Sequence, residues 1–378
     1  MIGISKIGNH KVIIALGTNL GDKKNQIERA TRLIETKIGL IIKAGKVYAS
    51  QSFGFDGPDF YNTVLLIHTI YTPQDVLDKL KNIESEMGRS VKFTDHYESR
   101  PIDLDIIFYD NIQFQSERLD IPHKHWQERN FVVLPLLDFC KEWEIENETI
   151  HIGNIASKME PLEPVDDVEI TLSRKRYPIQ RHNFIAIEGN IGSGKTSLTH
   201  KIGEDFTGKE VLERFADNPF LPLFYKEQER YAFSLEMSFL ADRYQQLHDE
   251  IGQQDLFKEF TVADYYVVKS LIFSKITLSE EEYTLYKRLF YMMYKELVKP
   301  ELYIYLYQTE ERLLDNIKKR GREYEQDIQT DYLMEIQKGY ADFIKTQDSL
   351  KIKVIDVTEL DFVNKHEDYI TILDQINS

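Results

Sequence analysis

Two kinds of apolar pattern alternate over the first 158 residues. Three short aliphatic runs, bounded by glycine or polar residues, are predicted as strands: residues 12–16, 62–69 and 104–109. Two longer segments carry apolar side chains at helical spacing and are predicted as helices: residues 22–38 and 73–87. The alternation of strands and helices predicts a compact domain over residues 1–158.

The apolar periodicity is lost after this domain and returns in a different form. Residues 159–183 contain prolines, charges of both signs and no apolar face, so they are predicted as a linker. Residues 184–378 have the pattern of a second domain with strands and long helices. The strands are predicted at 184–187, 302–306 and 352–356, and the helices at 222–252 and 279–299.

Composition and charge narrow the class of partner. The 378-residue chain carries a net charge of −16, which argues against nucleic acid and anionic membranes as main partners because both require a basic surface. Cys140 is the only cysteine in the sequence, which excludes an intrachain disulfide and a cysteine-rich zinc site. The N-terminal residues lack the form of a secretory signal, and no apolar run approaches the roughly 20 residues of a membrane helix. We therefore expect a cytoplasmic protein.

A glycine-rich loop follows the strand predicted at 184–187 and precedes a helical segment. Glycines allow backbone amides to approach phosphate groups, and the N-terminus of the next helix adds partial positive charge. The lysine of the loop is expected to bridge the outer phosphates of ATP, and the threonine to bind Mg²⁺. The predicted ATP-binding residues of this loop are Gly189, Asn190, Ile191, Gly192, Ser193, Gly194, Lys195 and Thr196.

The residues after this loop indicate which class of molecule accepts the phosphoryl group. Three motifs resemble those of the deoxynucleoside kinases of the deoxycytidine, deoxyguanosine and deoxyadenosine type: residues 213–215, 218–221 and 239–243. The resemblance covers residues 184–358. It implies an α/β P-loop kinase domain with a parallel sheet and long helices, and a homodimer formed through this domain.

The same resemblance implies roles for individual residues. Glu213 is expected to be the general base for the 5′-hydroxyl, and Arg320 and Arg322 are expected to close over the transferred phosphoryl group. The implied substrate contacts are Tyr225 and Glu325 on the 3′-hydroxyl, Glu236 and Arg243 on the base, and Asp264 near Mg²⁺ and the phosphates.

Two departures from the family pattern affect the expected chemistry. Tyr265 and Tyr266 replace the arginine and serine that follow the acidic residue, and Arg214 is the candidate to supply the missing cation. Glu236 replaces the base-reading glutamine. An ionised carboxylate accepts hydrogen bonds and donates none, so we expect a purine deoxynucleoside, with deoxyadenosine first. A nucleoside monophosphate kinase is the alternative, which Glu213 disfavours because a carboxylate would repel a bound phosphate.

The densest polar segment of the first domain is residues 99–108. Alternate residues of a strand share a face, so Asp103 and Asp105 should point to one side while Leu104 and Ile106 point into the core. Two such carboxylates can hold one or two Mg²⁺ ions. The Asp-x-Asp pattern alone is also typical of a solvated sheet face, so the metal role depends on the neighbouring motifs.

Four further motifs resemble those of the 6-hydroxymethyl-7,8-dihydropterin pyrophosphokinases of the folate pathway: residues 17–22, 54–62, 121–123 and 129–136. The resemblance implies a ferredoxin-like α+β sandwich that transfers a pyrophosphoryl group from ATP to the pterin hydroxymethyl group and releases AMP. The implied Mg²⁺ ligands are Asp103 and Asp105, the pterin contacts are Phe60, Asn62 and Phe131, and the ATP contacts are Glu84, Arg89, Arg100, His123 and Arg129.

The departures in this half lie in the loop before the two aspartates. The family often has a tryptophan there, which residues 94–100 lack, and His96 or Tyr97 is the candidate to take a similar stacking position.

The two halves together predict a bifunctional enzyme. Its expected substrates are small molecules: ATP, the hydroxymethyl-dihydropterin and a deoxynucleoside. The alternative is an active deoxynucleoside kinase fused to a non-catalytic module that binds a pterin or a nucleotide. Retention of Lys195, Glu213, Asp103 and Asp105 favours two active sites, because enzymes that lose activity usually lose such groups first.

Overall fold

The computed structural model describes residues 9–52, 57–89, 99–214, 218–224, 226–252, 257–322, 325 and 328–378. It divides into two compact units. The first is Met1–Pro178 with Asn364–Ile370, and the second is Ile179–Val363 with Thr371–Ser378. Among the described residues, no helix combines the length and the apolar character needed to cross a membrane.

The first unit contains an antiparallel sheet in which β1 and β4 are central. Its strands are β1 (His10–Thr18), β2 (Leu40–Ala44), β3 (Tyr48–Ser50), β4 (Phe60–Thr69), β5 (Asp103–Tyr109) and β10 (Glu163–Pro164), in the order β10-β3-β4-β1-β5 with β2 also paired to β4. Two hairpins pair β6 (Phe114–Gln115) with β7 (Asp120–Ile121) and β8 (Glu142–Ile145) with β9 (Glu148–His151). The helices are α1 (Lys23–Lys37), α2 (Pro73–Glu86), α3 (Asn130–Leu137), α4 (Ile152–Ala156) and α5 (Ser173–Arg176).

Helices cover both faces of this sheet, so its central strands are buried on both sides. On β1, Val12, Ile14 and Leu16 pack in the cluster that includes residues of α1 and α2. Ile13 packs with Trp126 and with residues of α3 on the opposite face. The α2 helix begins at a capping box formed by Thr72 and Asp75, with Pro73 in its first turn, as the Thr-Pro pair predicts.

Part of the segment predicted as a linker packs on the first unit. Glu163–Pro164 forms β10 on the edge of the sheet, beside β3. The Ser173 hydroxyl donates to Glu35 Oε1 at 2.6 Å and lies 2.9 Å from the Ile41 carbonyl oxygen. Apolar side chains at alternate positions between them pack on the core that includes α1 and α2: Val168, Ile170 and Leu172. The sequence does contain this alternation, but the prolines and charges around it are typical of a linker.

The second unit contains a parallel sheet, as predicted for a P-loop kinase. Its strands are β11 (Phe184–Gly189), β12 (Lys209–Val211), β13 (Thr261–Ala263), β14 (Leu302–Tyr307) and β15 (Ile352–Asp356), in the order β12-β13-β11-β14-β15. The helices are α6 (Lys195–Asp205), α7 (Leu221–Phe224), α8 (Gln228–Gly252), α9 (Lys269–Thr277), α10 (Glu280–Tyr294), α11 (Glu310–Arg320) and α12 (Thr330–Thr346). The last helix, α13 (His366–Asn377), is divided between the units, with its residues up to Ile370 in the first and those from Thr371 in the second. The loop after β11 therefore lies at the carboxyl edge of the sheet, where ligands bind in open α/β folds.

Candidate active sites

The phosphate loop of the second unit joins β11 to α6. Gly194 caps α6 in the left-handed conformation (φ 89°), and a Cβ there would lie 2.7 Å from the Phe362 ring, so this position requires glycine. The Lys195 ammonium donates to the carbonyl oxygens of Gly189 and Asn190 at 3.0 and 2.8 Å. Burial, aided by the charge of Lys269, lowers the pKa of Lys195 to about 8. An anionic phosphate group in the loop would favour the charged form.

A carboxylate cluster connects this loop to the end of β12. The Thr196 hydroxyl donates to Asp264 Oδ2 at 2.5 Å, and the Glu213 backbone N–H donates to Asp264 Oδ1 at 2.7 Å. Burial raises the pKa of Asp264. The hydroxyl and carboxylate oxygens form a set that suits Mg²⁺, which usually takes one or two protein ligands together with water and substrate phosphates.

Glu213 lies between two buried cations. Its Oε1 accepts hydrogen bonds from Arg243 at 2.7–2.8 Å, and its Oε2 accepts one from Lys269 at 2.7 Å. Burial alone would raise the pKa of Glu213, but Lys269 and Arg243 outweigh it and hold the pKa at about 2. Glu213 is therefore ionised throughout the physiological range.

The expectation that Arg214 supplies the missing family cation is wrong. Its side chain is 58% exposed and lies 3.6 Å from Glu250. The cation that pairs with Glu213 beside Arg243 is instead Lys269, the first residue of α9, whose side chain is only 7% exposed. Lys269 was missed because a lone lysine close after Asp264 has no recognisable spacing. The fold brings it to Glu213, 56 residues away in sequence.

The predicted base-reading residues lie two helical turns apart on α8. Arg243 is bonded to Glu213 and donates to the Ser270 hydroxyl at 2.7 Å. Glu236 is 3% exposed, and its Oε1 accepts a hydrogen bond from Thr277 at 3.0 Å. Burial raises the pKa of Glu236 to about 7, so the expectation of a fully ionised carboxylate is wrong. Thr277 was not identified from the sequence.

The lid arginines are held by one buried carboxylate. Arg320 donates to Glu325 Oε2, and Arg322 donates to Glu325 Oε1 at 3.2 Å. The side chain of Glu325 is 7% exposed. The structure thus brings together two residues predicted for the phosphoryl group and one predicted for the 3′-hydroxyl. Tyr225, the other residue predicted at the 3′-hydroxyl, lies outside the described residues.

The predicted metal site of the first unit is at the start of β5. Asp103 and Asp105 face the same side of the strand, while Leu104 and Ile106 are buried in the opposite core, as predicted. Asp103 accepts hydrogen bonds from Arg89 at 2.7 Å and Arg100 at 2.9 Å. Asp105 lies 3.5 Å from Arg129 and 3.9 Å from His123. Two carboxylates and four basic side chains therefore meet in one place.

The electrostatics of the two aspartates differ. Burial would raise the pKa of Asp103, but Arg100 and Arg89 outweigh it, so its pKa lies below the ordinary value. Burial and the charge of Asp103 raise the pKa of Asp105 against the opposing charges of His123 and Arg129. A divalent cation between the carboxylates would relieve their repulsion, so the donor set fits Mg²⁺ with substrate phosphates as further ligands. Among the described residues, no group of three or more His, Cys, Asp or Glu side chains forms a complete protein metal site.

Glu84, predicted as an ATP contact, supports Arg89 in this structure. Its buried carboxylate accepts hydrogen bonds from Arg89 and from the Leu104 backbone N–H, the latter at 2.8 Å. This arrangement holds the Arg89 side chain against Asp103. In this structure the contact of Glu84 is therefore with the arginine, which in turn contacts Asp103.

A cavity of about 1320 Å³ lies beside the two aspartates. The predicted pterin contacts Phe60, Asn62 and Phe131 line it, together with Arg100, Asp103, Asp105 and Arg129. Asn62 is buried and donates to the Ser50 hydroxyl at 2.9 Å, which fixes the orientation of its amide. His125 lines the cavity, whereas the predicted ATP contact His123 is not among the lining residues and lies 3.9 Å from Asp105. The candidates for the stacking position, His96 and Tyr97, lie outside the described residues.

One wall of this cavity is formed by a segment that the sequence did not predict to lie there. Residues 158–163, which follow α4, line it. The segment is held at two points: the Asn130 side chain donates to the Glu160 carbonyl oxygen at 3.3 Å, and Glu163–Pro164 pairs with β3. β3 also carries Ser50, the partner of Asn62, so this wall lies next to the predicted pterin contacts.

These features define two classes of site. A phosphate loop at the carboxyl edge of a parallel sheet, with a carboxylate and basic side chains beside it, defines a nucleotide-dependent phosphotransferase. Paired aspartates surrounded by arginines, beside a cavity lined by aromatic side chains and an amide, define a second phosphotransferase for a flat acceptor.

The chain belongs to the deoxynucleoside kinase family over residues 185–378 and to the 7,8-dihydro-6-hydroxymethylpterin-pyrophosphokinase family over residues 13–141. Both resemblances seen in the sequence are thereby confirmed. Deoxyguanosine kinase of Bacillus subtilis is 36% identical over 190 residues, which are 49% of this chain and 92% of that protein. A 2-amino-4-hydroxy-6-hydroxymethyldihydropteridine pyrophosphokinase of Porphyromonas gingivalis is 35% identical over 130 residues, which are 34% of this chain and 88% of that protein. A structure of deoxyadenosine kinase from M. mycoides with bound dATP aligns with a TM-score of 0.46 and 25% identity, covering 52% of this chain and all of that one.

Proposed function

We propose that the chain catalyses two separate transfers from ATP. The second unit phosphorylates the 5′-hydroxyl of a purine deoxynucleoside and forms ADP. The first unit transfers a pyrophosphoryl group to 6-hydroxymethyl-7,8-dihydropterin and forms AMP. The observation that carries the proposal is that each unit places carboxylates among basic side chains, beside a phosphate loop in the second unit and beside a cavity in the first. The deoxyguanosine kinase of B. subtilis supports a purine as the nucleoside base.

Glu213 has the geometry to orient the acceptor hydroxyl. A carboxylate with a pKa near 2 is a weak base, but phosphoryl transfer through a loose transition state needs little proton removal before the bond forms. Glu213 would accept the hydrogen bond of the 5′-hydroxyl and take its proton late in the reaction. Lys269 and Lys195 would offset the negative charge of the phosphoryl group. Mg²⁺ held near Thr196 and Asp264 would neutralise phosphate charge in the same way.

The lid arginines are proposed to exchange partners during the reaction. Arg320 and Arg322 are paired with Glu325, and the γ-phosphate of ATP would compete for both guanidinium groups. Glu325 would then be free to accept a hydrogen bond from the 3′-hydroxyl. Substrate binding and lid closure would thus be coupled through one carboxylate.

In the first unit, Asn62 and the aromatic side chains would bind the pterin. The amide can donate to and accept from the pterin edge, and Phe60 and Phe131 provide apolar faces for a flat ring. Mg²⁺ at Asp103 and Asp105 would polarise the ATP phosphates, and Arg89, Arg100 and Arg129 would hold them.

For the fold of the first unit we propose a ferredoxin-like sandwich. We also propose a homodimer through the second unit, supported by the exposed Leu285 and Met292, two turns apart on α10.

Product analysis tests the proposal. Purified protein with ATP and Mg²⁺ is given hydroxymethyl-dihydropterin or one of four deoxynucleosides, with deoxyguanosine and deoxyadenosine 5′-monophosphates as further acceptors. We expect AMP with the pterin, ADP with purine deoxynucleosides and no turnover of the monophosphates. Pterin binding without AMP release would favour the non-catalytic module for the first unit. Turnover of monophosphates alone would contradict the assignment of the second.

Lys269→Met should move the acid limb of the pH–rate profile. Without Lys269, the pKa of Glu213 rises because one of its two cationic partners is lost. Below that pKa the carboxyl is protonated and cannot accept the hydroxyl proton, so kcat/KM for the deoxynucleoside falls at a higher pH than in the wild type. Lys275→Met, an exposed lysine on the same helix, is the control. An unchanged acid limb in Lys269→Met would contradict this role.

The wall formed by residues 158–163 predicts a further effect. Replacing Met159 and Leu162 together with alanine removes apolar surface from the cavity, so the KM for the pterin should rise about tenfold with a smaller change in the KM for ATP. Val168→Ala is the control, because Val168 packs on the opposite face of the sheet. Equal changes in both KM values would show that the wall has no preference for the pterin.

A further inference from the structure

Glu236 is a buried carboxyl group with one unsatisfied oxygen. Its Oε1 accepts a hydrogen bond from Thr277, but its Oε2 is buried without a hydrogen-bond partner among the described residues. An unsatisfied buried carboxylate oxygen costs free energy unless a proton or a ligand supplies the missing interaction. The position therefore points to a ligand group that completes the hydrogen bonding of Oε2.

The charged groups around Glu236 are already engaged elsewhere. Arg243 is bonded to Glu213 and Ser270, and Lys269 is bonded to Glu213. The Tyr286 hydroxyl donates to the backbone oxygen of Glu236, at 3.3 Å, rather than to its carboxyl group. Burial raises the pKa of Glu236 and the charge of Glu213 adds to it, while Arg243, Thr277 and Lys269 oppose them, so the pKa lies at about 7. Both protonation states are therefore populated at neutral pH.

The two protonation states fit different base edges. The ionised form presents two acceptors, which match the N1–H and 2-amino group of guanine. The protonated form presents one donor and one acceptor, which match N1 and the 6-amino group of adenine. Against the other base, each state places two acceptors or two donors opposite each other. Such a mismatch in a buried site reduces binding strongly.

We propose that the proton on Glu236 selects the purine: the ionised carboxyl accepts deoxyguanosine and the protonated carboxyl accepts deoxyadenosine. The proposal rests on the assignment of the second unit as a deoxynucleoside kinase.

The ratio of kcat/KM for deoxyguanosine to that for deoxyadenosine tests the proposal. Both substrates are measured with the full chain, from about pH 6 to about pH 8.5. The ratio should rise about tenfold for each pH unit, because it follows the ratio of ionised to protonated Glu236. Effects of pH on ATP, Mg²⁺ and Glu213 are common to both substrates and cancel. A ratio that is constant or falls with pH overturns the proposal, whereas no phosphorylation of either nucleoside overturns the assigned function itself.

Two variants separate proton-dependent selection from a structural role. Glu236→Gln has a fixed donor and acceptor, so the ratio should be independent of pH and favour deoxyadenosine. Thr277→Val removes the hydrogen bond that stabilises the ionised form, so the same rise in the ratio should occur at higher pH. Glu229→Gln, on the exposed start of the same helix, should reproduce the wild-type curve. A wild-type slope in Glu236→Gln would overturn the proposal, and the wild-type curve decides it if that variant does not fold.

Discussion

Glu213→Gln should lower kcat for deoxynucleoside phosphorylation by about 10²–10⁴-fold, the usual effect of removing a general base. The amide can accept a hydrogen bond from the 5′-hydroxyl but cannot take its proton. It also leaves the charges of Arg243 and Lys269 without their anionic partner. ADP formation with deoxyguanosine and deoxyadenosine measures the loss, and AMP formation with the pterin in the same preparation should be unchanged.

Loss of chemistry and loss of folding must be separated in this variant. Removing one member of a buried ion pair commonly costs about 3–5 kcal/mol, so the second unit of Glu213→Gln should also unfold at a lower temperature. Glu210→Gln is the matched control, because Glu210 pairs with His200 near the end of β12 and lies outside the cluster. Near-wild-type ADP formation by folded Glu213→Gln would rule out Glu213 as the base.

The double replacement Asp103→Asn, Asp105→Asn should abolish AMP formation with the pterin, lowering it by at least about 10²–10³-fold. Neutral amides bind a divalent cation poorly, and they no longer balance Arg89 and Arg100. The loss of activity is measured by chromatography, as the rate of AMP formation at a series of pterin concentrations. ADP formation with a deoxynucleoside should remain at the wild-type level, since it depends on the phosphate loop of the second unit.

Asp110→Asn is the control for this experiment. Asp110 follows the same strand, accepts a hydrogen bond from the Lys11 backbone N–H at 2.7 Å and does not line the cavity. Its replacement should leave both activities near wild type. Full AMP formation by the double variant, together with this result, would mean that the aspartates hold no essential metal.

Local patterns in the sequence predicted the elements that carry most of the candidate residues. The phosphate loop follows a buried strand and begins a helix because its glycines permit the turn, and the structure places it there. The alternation around Asp103 and Asp105 predicted their common face, since strand periodicity is a local property. The helix expected over 222–252 is interrupted, with α7 ending at Phe224 and α8 beginning at Gln228.

The sequence by itself determined the two-unit organisation, the parallel sheet with its phosphate loop, and membership of two phosphotransferase families. These properties depend on the periodicity of apolar residues, the positions of glycines and the order of the motifs. Each of these can be recognised from a local stretch of sequence. Only the tertiary structure decided that Lys269, rather than Arg214, pairs with Glu213, because the partners lie on separate elements. It also decided that Glu236 titrates near neutrality and that residues 158–163 line the cavity. Burial and contacts between distant segments set these properties, and neither is encoded in the spacing of neighbouring residues.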